Sequence, residues 1–560
     1  MLIPHLPTTA LPTRFGRAFS AWSSFRAVAL HGGRLFLALA FASSLHAQIT
    51  TTWTDGAGDW LTATNWDNGV PGSTDTAILG NSGSATLSGA GAASILKVGN
   101  TDLGDLQISG GTLTVGSNSI LGNNTGGTAT ATVSSGSWSS GGSLIIGTNS
   151  GTGTLTISGG LVSAAAVNLG SPAVSSGTLN LNGGMLATGQ INGPGDGSGV
   201  SNINFNGGIV RATADSNNFF VGFTTGNIQF AAGGATFDTQ AFSVSVANIL
   251  QGPGGFTKQG SGTLNLSGSS SYANGTTVSA GTLALIGGGH LADTGAVTVS
   301  GGEFNIGTIA ETAGIVTLNS GSITGTTGSL TGNSYAVESG NISAQLAGNG
   351  GLTKTTPGIV ILSGSNSYTG ATTVSAGTLE IDGSTAASSA VGVGSGATLS
   401  GNGTVGGSVL LNTGAIIAPG NGIQALTVGS LTWNGSTDSS ATMIYTLSNS
   451  GNTSSLLNIS GILAKGGGSS FIFDFQGTGF FDGVDASNPN IYTLADFSSS
   501  TGFNVSDFGY IRLGGGFHGN FILNPDSLQF AVIPEPSAWG LLLGGLAMMT
   551  ALRRKRALGV

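Results

Sequence analysis

The chain contains no cysteine, which excludes disulfides, Cys-ligated zinc and iron–sulfur clusters. Charge is almost as scarce. Only 7% of the 560 residues are Asp, Glu, Lys or Arg, against about 25% in ordinary proteins. Bases are the rarer sign: between Gln48 and Val532 six bases stand against 22 acids, a balance of −16. Such a body has no electropositive footprint for nucleic acid. The same span holds two histidines, His290 and His518, a thin supply for acid–base chemistry near neutral pH. No Gly-x-Ser-x-Gly elbow, phosphate-binding loop or His-rich metal motif occurs. On these grounds no catalytic, cofactor-binding or metal-ligating residue is assigned.

What is plentiful is glycine, 101 residues, and it recurs in a pattern. An eight-residue unit alternates apolar and polar residues over four positions and carries Gly at its sixth. Copies are LQISGGTL at Leu106, ATVSSGSW at Ala131, LTISGGLV at Leu155, LNLNGGML at Leu179, INFNGGIV at Ile203 and IQFAAGGA at Ile228. Seven more begin at Thr276, Val297, Val316, Tyr335, Thr372, Val391 and Val409. The early steps are about 24 residues and the later ones about 19. The two long gaps, from Ile228 to Thr276 and from Tyr335 to Thr372, read as two coils each with a degenerate middle copy. This period suits one coil of a parallel β-helix and is too short for a propeller blade. Positions 1 and 3 then point inward, as do eighth residues such as Leu113, Trp138 and Val162. The glycine allows a corner with positive φ. About 15–18 coils are expected at this period. Outward positions 2 and 4 are mostly Thr, Asn, Gln and Ser, and stacking would align them as polar ladders on one flat face. Such a face is a solvated sheet surface or a docking face for a glycan. A Thr-x-Thr ice-binding array is absent, because position 4 is rarely Thr.

Both ends read as addresses. Arg14, Arg17, Arg26 and Arg34 precede the apolar run LFLALAF, and ASSLHA follows, ending at Ala47. A basic start, short apolar segment and small exit residue form a secretory signal peptide over 1–47, cleaved by signal peptidase between Ala47 and Gln48. At the other end Pro534, Glu535 and Pro536 are followed by the apolar Ala538–Leu552 and then Arg553, Arg554, Lys555 and Arg556. A helix there spans about 22 Å, short for a bilayer core of about 30 Å, and the closing bases favour the cytoplasmic side. This tripartite tail, residues 531–560, resembles the PEP-CTERM sorting signal. The resemblance implies handling by an exosortase-type enzyme, membrane association before processing, and an exported body.

Two segments align without gaps at an offset of 96, with 19 of 32 positions identical: GGFTKQGSGTLNLSGSSSYANGTTVSAGTLAL at 254–285 and GGLTKTTPGIVILSGSNSYTGATTVSAGTLEI at 350–381. Their Gly-Gly-x-Thr-Lys, Leu-Ser-Gly, Ser-Tyr and Thr-Thr-Val-Ser-Ala-Gly-Thr-Leu elements resemble the autotransporter-associated β-strand repeat, also called the passenger-associated transport repeat. That resemblance implies a pectin-lyase-like β-helix on the cell surface. A self-secreting autotransporter would finish in an outer-membrane barrel, whereas the tail here points to Sec export and exosortase handling.

The expected organisation is therefore all-β. A Trp-rich cap and first coils occupy 48–100, with Trp53, Trp60 and Trp66 closing the end or forming a sugar platform. A right-handed parallel β-helix occupies 101–431 and a Phe-rich β cap 432–530, followed by a short C-terminal transmembrane helix. Candidate chemistry is sparse. Lys258 and Lys354 share one repeat position, which favours a structural use. Glu380 and Asp382 share an outward face, Asp482 and Asp485 lie in a Gly-rich loop, and GPGDGSG at 193–199 occurs once. The expected function is a non-catalytic, adhesin-like surface or matrix protein whose candidate ligand is an extracellular polysaccharide. The alternative is a carbohydrate-binding or polysaccharide-cleaving β-helix.

Overall fold

The computed structural model describes residues 48–534, apart from 171–173, 195–198, 421, 439, 449–451, 477–488 and 514–516, together with 547–550 and 552–553. Among the described residues between 48 and 534, regular structure is strand, broken by two three-residue 3-10 turns at Ala63–Asn65 and Val505–Asp507. The chain winds into a right-handed-type β-helix of about 17 turns.

Three parallel ladders run along the coils. Leu155 sits in register between Ala131 and Leu179 on the first, Val162 between Trp138 and Leu186 on the second, and Val167 between Leu144 and Ile191 on the third. Alternation fixes which residues face in. Leu155, Ile157, Leu179, Leu181, Ile203 and Phe205 are all fully buried, as the apolar positions of a period-two strand should be. The eighth residues Leu113, Trp138 and Val162 turn inward as expected.

Glycine serves two purposes at the corners. Gly160, sixth in its unit, takes φ +68°, a conformation open to glycine at little cost. In other adjoining pairs, at Gly110, Gly183, Gly207 and Gly301, the fifth position carries the positive φ instead, and the sixth is required by proximity. A Cβ on Gly111 would lie 2.0 Å from the Gly89 carbonyl oxygen of the preceding coil.

The unit changes ladder part-way along the chain. The copies from Leu106 to Ile228 stack on the first ladder, which continues from Gln229 to Gln251 and then Ser271. The copy at Thr276 instead pairs with Phe256, that strand pairs with 235–238, and 235–238 in turn with 209–211 of the second ladder. The gap from Ile228 to Thr276 is thus two coils plus one face. The gap from Tyr335 to Thr372 is two coils, with Leu352–Lys354 as the middle rung. The single polar face expected from the sequence is in fact two faces, because identical octets serve two neighbouring sides.

Parallel pairing persists to Phe471–Gln476 on Phe508–Ile511. Asn490–Thr501, Ser527–Pro534 and Phe517–Leu523 then pair antiparallel. Rings of Trp433, Phe473, Phe503, Phe508, Phe521 and Phe530 fill this end. The other end is filled by Trp53, Trp60 and Trp66, packed edge to face at 5.1 and 4.8 Å and 0%, 0% and 3% exposed. The rings are consumed by the cap, so they offer no platform for a sugar.

Of the expected span Ala538–Leu552, the described residues 547–550 and 552 are helical and exposed. Among the described residues no helix is long and apolar enough to cross a membrane.

Candidate functional site

The outward positions form hydrogen-bonded ladders. On the first side Gln107, Thr132, Thr156, Asn180, Asn204 and Gln229 follow one another coil by coil. The Asn204 Nδ2 donates to Asn180 Oδ1 at 2.9 Å, and Asn180 Nδ2 to Thr156 Oγ1 at 3.3 Å. A corner ladder of asparagines adds Asn123 to Asn100 at 2.8 Å and Asn149 to Asn123 at 3.0 Å. On the second side Thr236, Thr257, Thr277, Thr298 and Thr317 are in register. Shallow hollows beside this threonine column are lined by Gly255, Gly275 and Asn274. The surface is therefore uncharged and rich in donors and acceptors along these columns.

The most distinctive residues of the two long repeats lie on the inside. Lys258 and Lys354 are fully buried. Lys258 Nζ donates to the carbonyl oxygens of Gln259, Gly260 and Ala280 at 2.9, 2.8 and 3.1 Å. Lys354 Nζ donates to the carbonyls of Thr356 and Ala376. Burial pulls the Lys258 ammonium down to about 8, against an opposing pull from Asp238, and burial likewise lowers Lys354. Tyr368 shares a hydrogen bond with Thr372 at 2.7 Å, and Tyr272 pairs with Thr276 in the same way. All four are buried. These residues hold coils together and do not face a ligand.

Three further bases are engaged in ion pairs. Arg211 Nε meets Asp238 at 2.8 Å and Lys465 meets Asp507 at 2.7 Å, while Arg512 binds Asp474. Burial raises the Asp238 carboxyl, but hydrogen bonds from the Gln240 backbone and Arg211 outweigh it and its pKa falls below the ordinary value. Glu380 lies in register with Ile361 and Ser400, and its pKa is raised by burial and by Asp382.

One pair escaped the sequence reading. Glu311, its side chain wholly buried, accepts from His290 Nδ1 at 2.9 Å and from the Leu291 N–H at 2.8 Å. Burial pushes Glu311 up to about 7, partly offset by these bonds. Ser269 is in register with His290, so three successive coils place Ser, His and Glu at steps of one coil. A step of about one coil length was the signal in the sequence. Among the described residues no hydrogen bond joins Ser269 to His290, so the pair works as a cross-coil tie. Nor do the described residues include a group of three or more His, Asp or Glu able to hold a metal.

The sorting and cleavage residues fall at the margins. Gln48 is exposed and Pro534 ends the last strand, while Arg553 is helical and exposed. Ala47, Glu535, Pro536, Arg554, Lys555 and Arg556 lie outside the described residues, as do Asp482, Asp485 and residues 195–198 of the GPGDGSG segment.

Comparison with known proteins matches the same two repeats. Residues 256–285 and 352–381 match the passenger-associated-transport-repeat family. The chain is also similar to the adhesin BmaC autotransporter of Brucella suis biovar 1 (strain 1330), 44% identical over 84 residues, which is 15% of this chain and 2% of that protein. An extracellular serine protease of Serratia marcescens is 48% identical over 86 residues, 15% of this chain and 8% of the protease. The chain thus matches only 2% and 8% of the length of these much longer proteins. It carries two passenger-associated transport repeats within a β-helical body.

Proposed function

We propose that this chain is an exported, surface-exposed or matrix β-helix protein of adhesin-like, non-catalytic character, handled through a PEP-CTERM tail. One observation carries the reading: the repeat residues with the most distinctive chemistry, Lys258 and Lys354, are spent on backbone carbonyls inside the solenoid, while the outside presents uncharged polar ladders. Arg211, Lys465 and Arg512 are tied up in ion pairs, which leaves little for a base or a phosphate clamp. A wide, neutral array of amides and hydroxyls suits weak, repeated hydrogen bonding to an extracellular polysaccharide. Signal peptidase would act between Ala47 and Gln48. An exosortase-type enzyme would act near Pro534–Glu535–Pro536, with Arg553–Arg556 holding the tail at the membrane until then.

Mass spectrometry of the mature protein from the surface and medium fractions of its host tests the route. Peptides beginning at Gln48 and ending near Pro536 are expected. An intact tail persisting in the membrane fraction would overturn processing. Incubation with host polysaccharide tests the activity: retention of the polysaccharide at unchanged chain length is expected, and shortening of its chains would make the protein an enzyme.

A further inference from the structure

The inward column of the second ladder runs Phe237, Lys258, Val278, Val299 and, further on, Val337, Lys354, Val374. A lysine replaces an apolar residue once in each long repeat, and nowhere else along this stretch. Each amine leaves the column at the same corner and reaches carbonyls of two coils. Gly260 or Thr356 belongs to its own coil, and Ala280 or Ala376 stands 22 residues ahead on the next. The corner carbonyls of Gly260, Ala280 and Ala376 receive no backbone N–H among the described residues. An acid stands one coil earlier in both cases, Asp238 above Lys258 and Glu338 above Lys354, and each favours the charged amine.

Hydrophobic alternation cannot by itself fix the register here. Side chains repeat every two residues, so a two-residue slip of one coil on the next keeps the same face inward. The segment Thr276–Ala280 would tolerate such a slip, since Thr276, Val278 and Ala280 are all small enough to sit inside. The lysine does not tolerate it. A slip of two residues moves the Ala280 carbonyl by about 6.8 Å, out of hydrogen-bond reach of Nζ. It would leave a buried cation short of its cross-coil acceptor, and an uncompensated buried charge is strongly disfavoured.

We propose that Lys258 and Lys354 are register pins: buried amines that admit one alignment of successive coils by clamping corner carbonyls across the coil boundary. Their role is specificity of stacking and not net stability, as buried polar groups can provide elsewhere.

The absence of cysteine makes the test clean. In the full-length chain, Thr257→Cys with Thr277→Cys reports native register, because in-register neighbours lie about 4.8 Å apart, within disulfide span. Thr257→Cys with Ser279→Cys reports a two-residue slip, because the native diagonal is about 7–8 Å and does not close. With Lys258 present, only the 257/277 pair should oxidise. In a Lys258→Met background both pairs should oxidise, in a chain that keeps a cooperative melt with an unchanged or raised midpoint. Lys354→Met with pairs 353/373 and 353/375 repeats the test at an independent place. Folded Met variants that close only the native pair would overturn the proposal. Met variants at both places that fail to fold, or melt lower with native-only closure, would make the lysines stability elements and overturn it equally.

Discussion

Glu311 shows how far a single carboxyl can make this fold sensitive to pH. Its folded pKa, raised by burial to about 7, exceeds the ordinary value of 4.5, so the folded state holds a proton that the unfolded chain releases. The stability this contributes is complete below the unfolded value and disappears as pH rises through 7. The melting midpoint should therefore fall between pH 5 and pH 8, and Glu311→Gln should flatten that dependence. An unchanged slope in the variant would place the titration elsewhere. Lys258 acts with the opposite sign. Its folded value of about 8 lies below the ordinary 10.5, so the unfolded chain binds more protons between these limits and stability should rise with pH from 8 to 10.5. Lys258→Met should abolish that rise in the same melting series. Neither environment was legible in the sequence, because what decides it comes from another coil: Leu291 and His290 for Glu311, Ala280 for Lys258. Only the shared repeat position of Lys258 and Lys354 hinted at a common internal duty.

At the level of the coil, the octet told its story well. Its alternation sorted Leu155 and Ile157 inward and Thr156 outward, and its glycine marked the corner. It could not say which of two glycines takes the unusual backbone conformation, since that depends on how closely the preceding coil approaches. Gly111 and Gly56 make the contrast measurable. At Gly111 a methyl meets backbone of the preceding coil at 2.0 Å, whereas at Gly56 nothing lies within 4 Å. Gly111→Ala should cost about 1–3 kcal/mol through forced separation of coils, and Gly56→Ala no more than about 0.5 kcal/mol, both read from urea unfolding. The amide ladder is tested by Asn180→Ala. That change removes bonds to Thr156 and Asn204 and should cost about 0.5–1.5 kcal/mol per bond lost. No change in the unfolding midpoint would make the ladder decorative.

For the whole solenoid, the ends matter as much as the middle. A β-helix without caps exposes open strand edges and core, and here three tryptophans and a cluster of phenylalanines meet that need. Trp53 and Trp60 leave their indole N–H groups without an acceptor among the described residues, so ring packing and the bond from the Trp66 indole N–H to the Trp60 carbonyl, at 2.8 Å, hold that cap. Trp60→Ala should cost about 3–5 kcal/mol and increase self-association, which size-exclusion chromatography reads directly. The bulky residues at 53, 60 and 66 announced a cap in the sequence. The change of ladder near residue 250 gave no such notice, because TTVSAGTL on one side and LTISGGLV on the adjoining side obey the same rule.

That displacement decides which pieces of this chain are interchangeable. Excising residues 254–349 removes five complete circuits, since Lys258 and Lys354 are five ladder steps apart, and the shortened chain should still melt cooperatively. Excising 228–275, a cut made between two matching octets, would join a strand of one side to a strand of the next. Every later segment would be fed onto the wrong side of the stack. Gain or loss of material by duplication is therefore neutral here only when counted in circuits around the axis, and a gene that grew by copying its most visible motif would often have produced a chain unable to close.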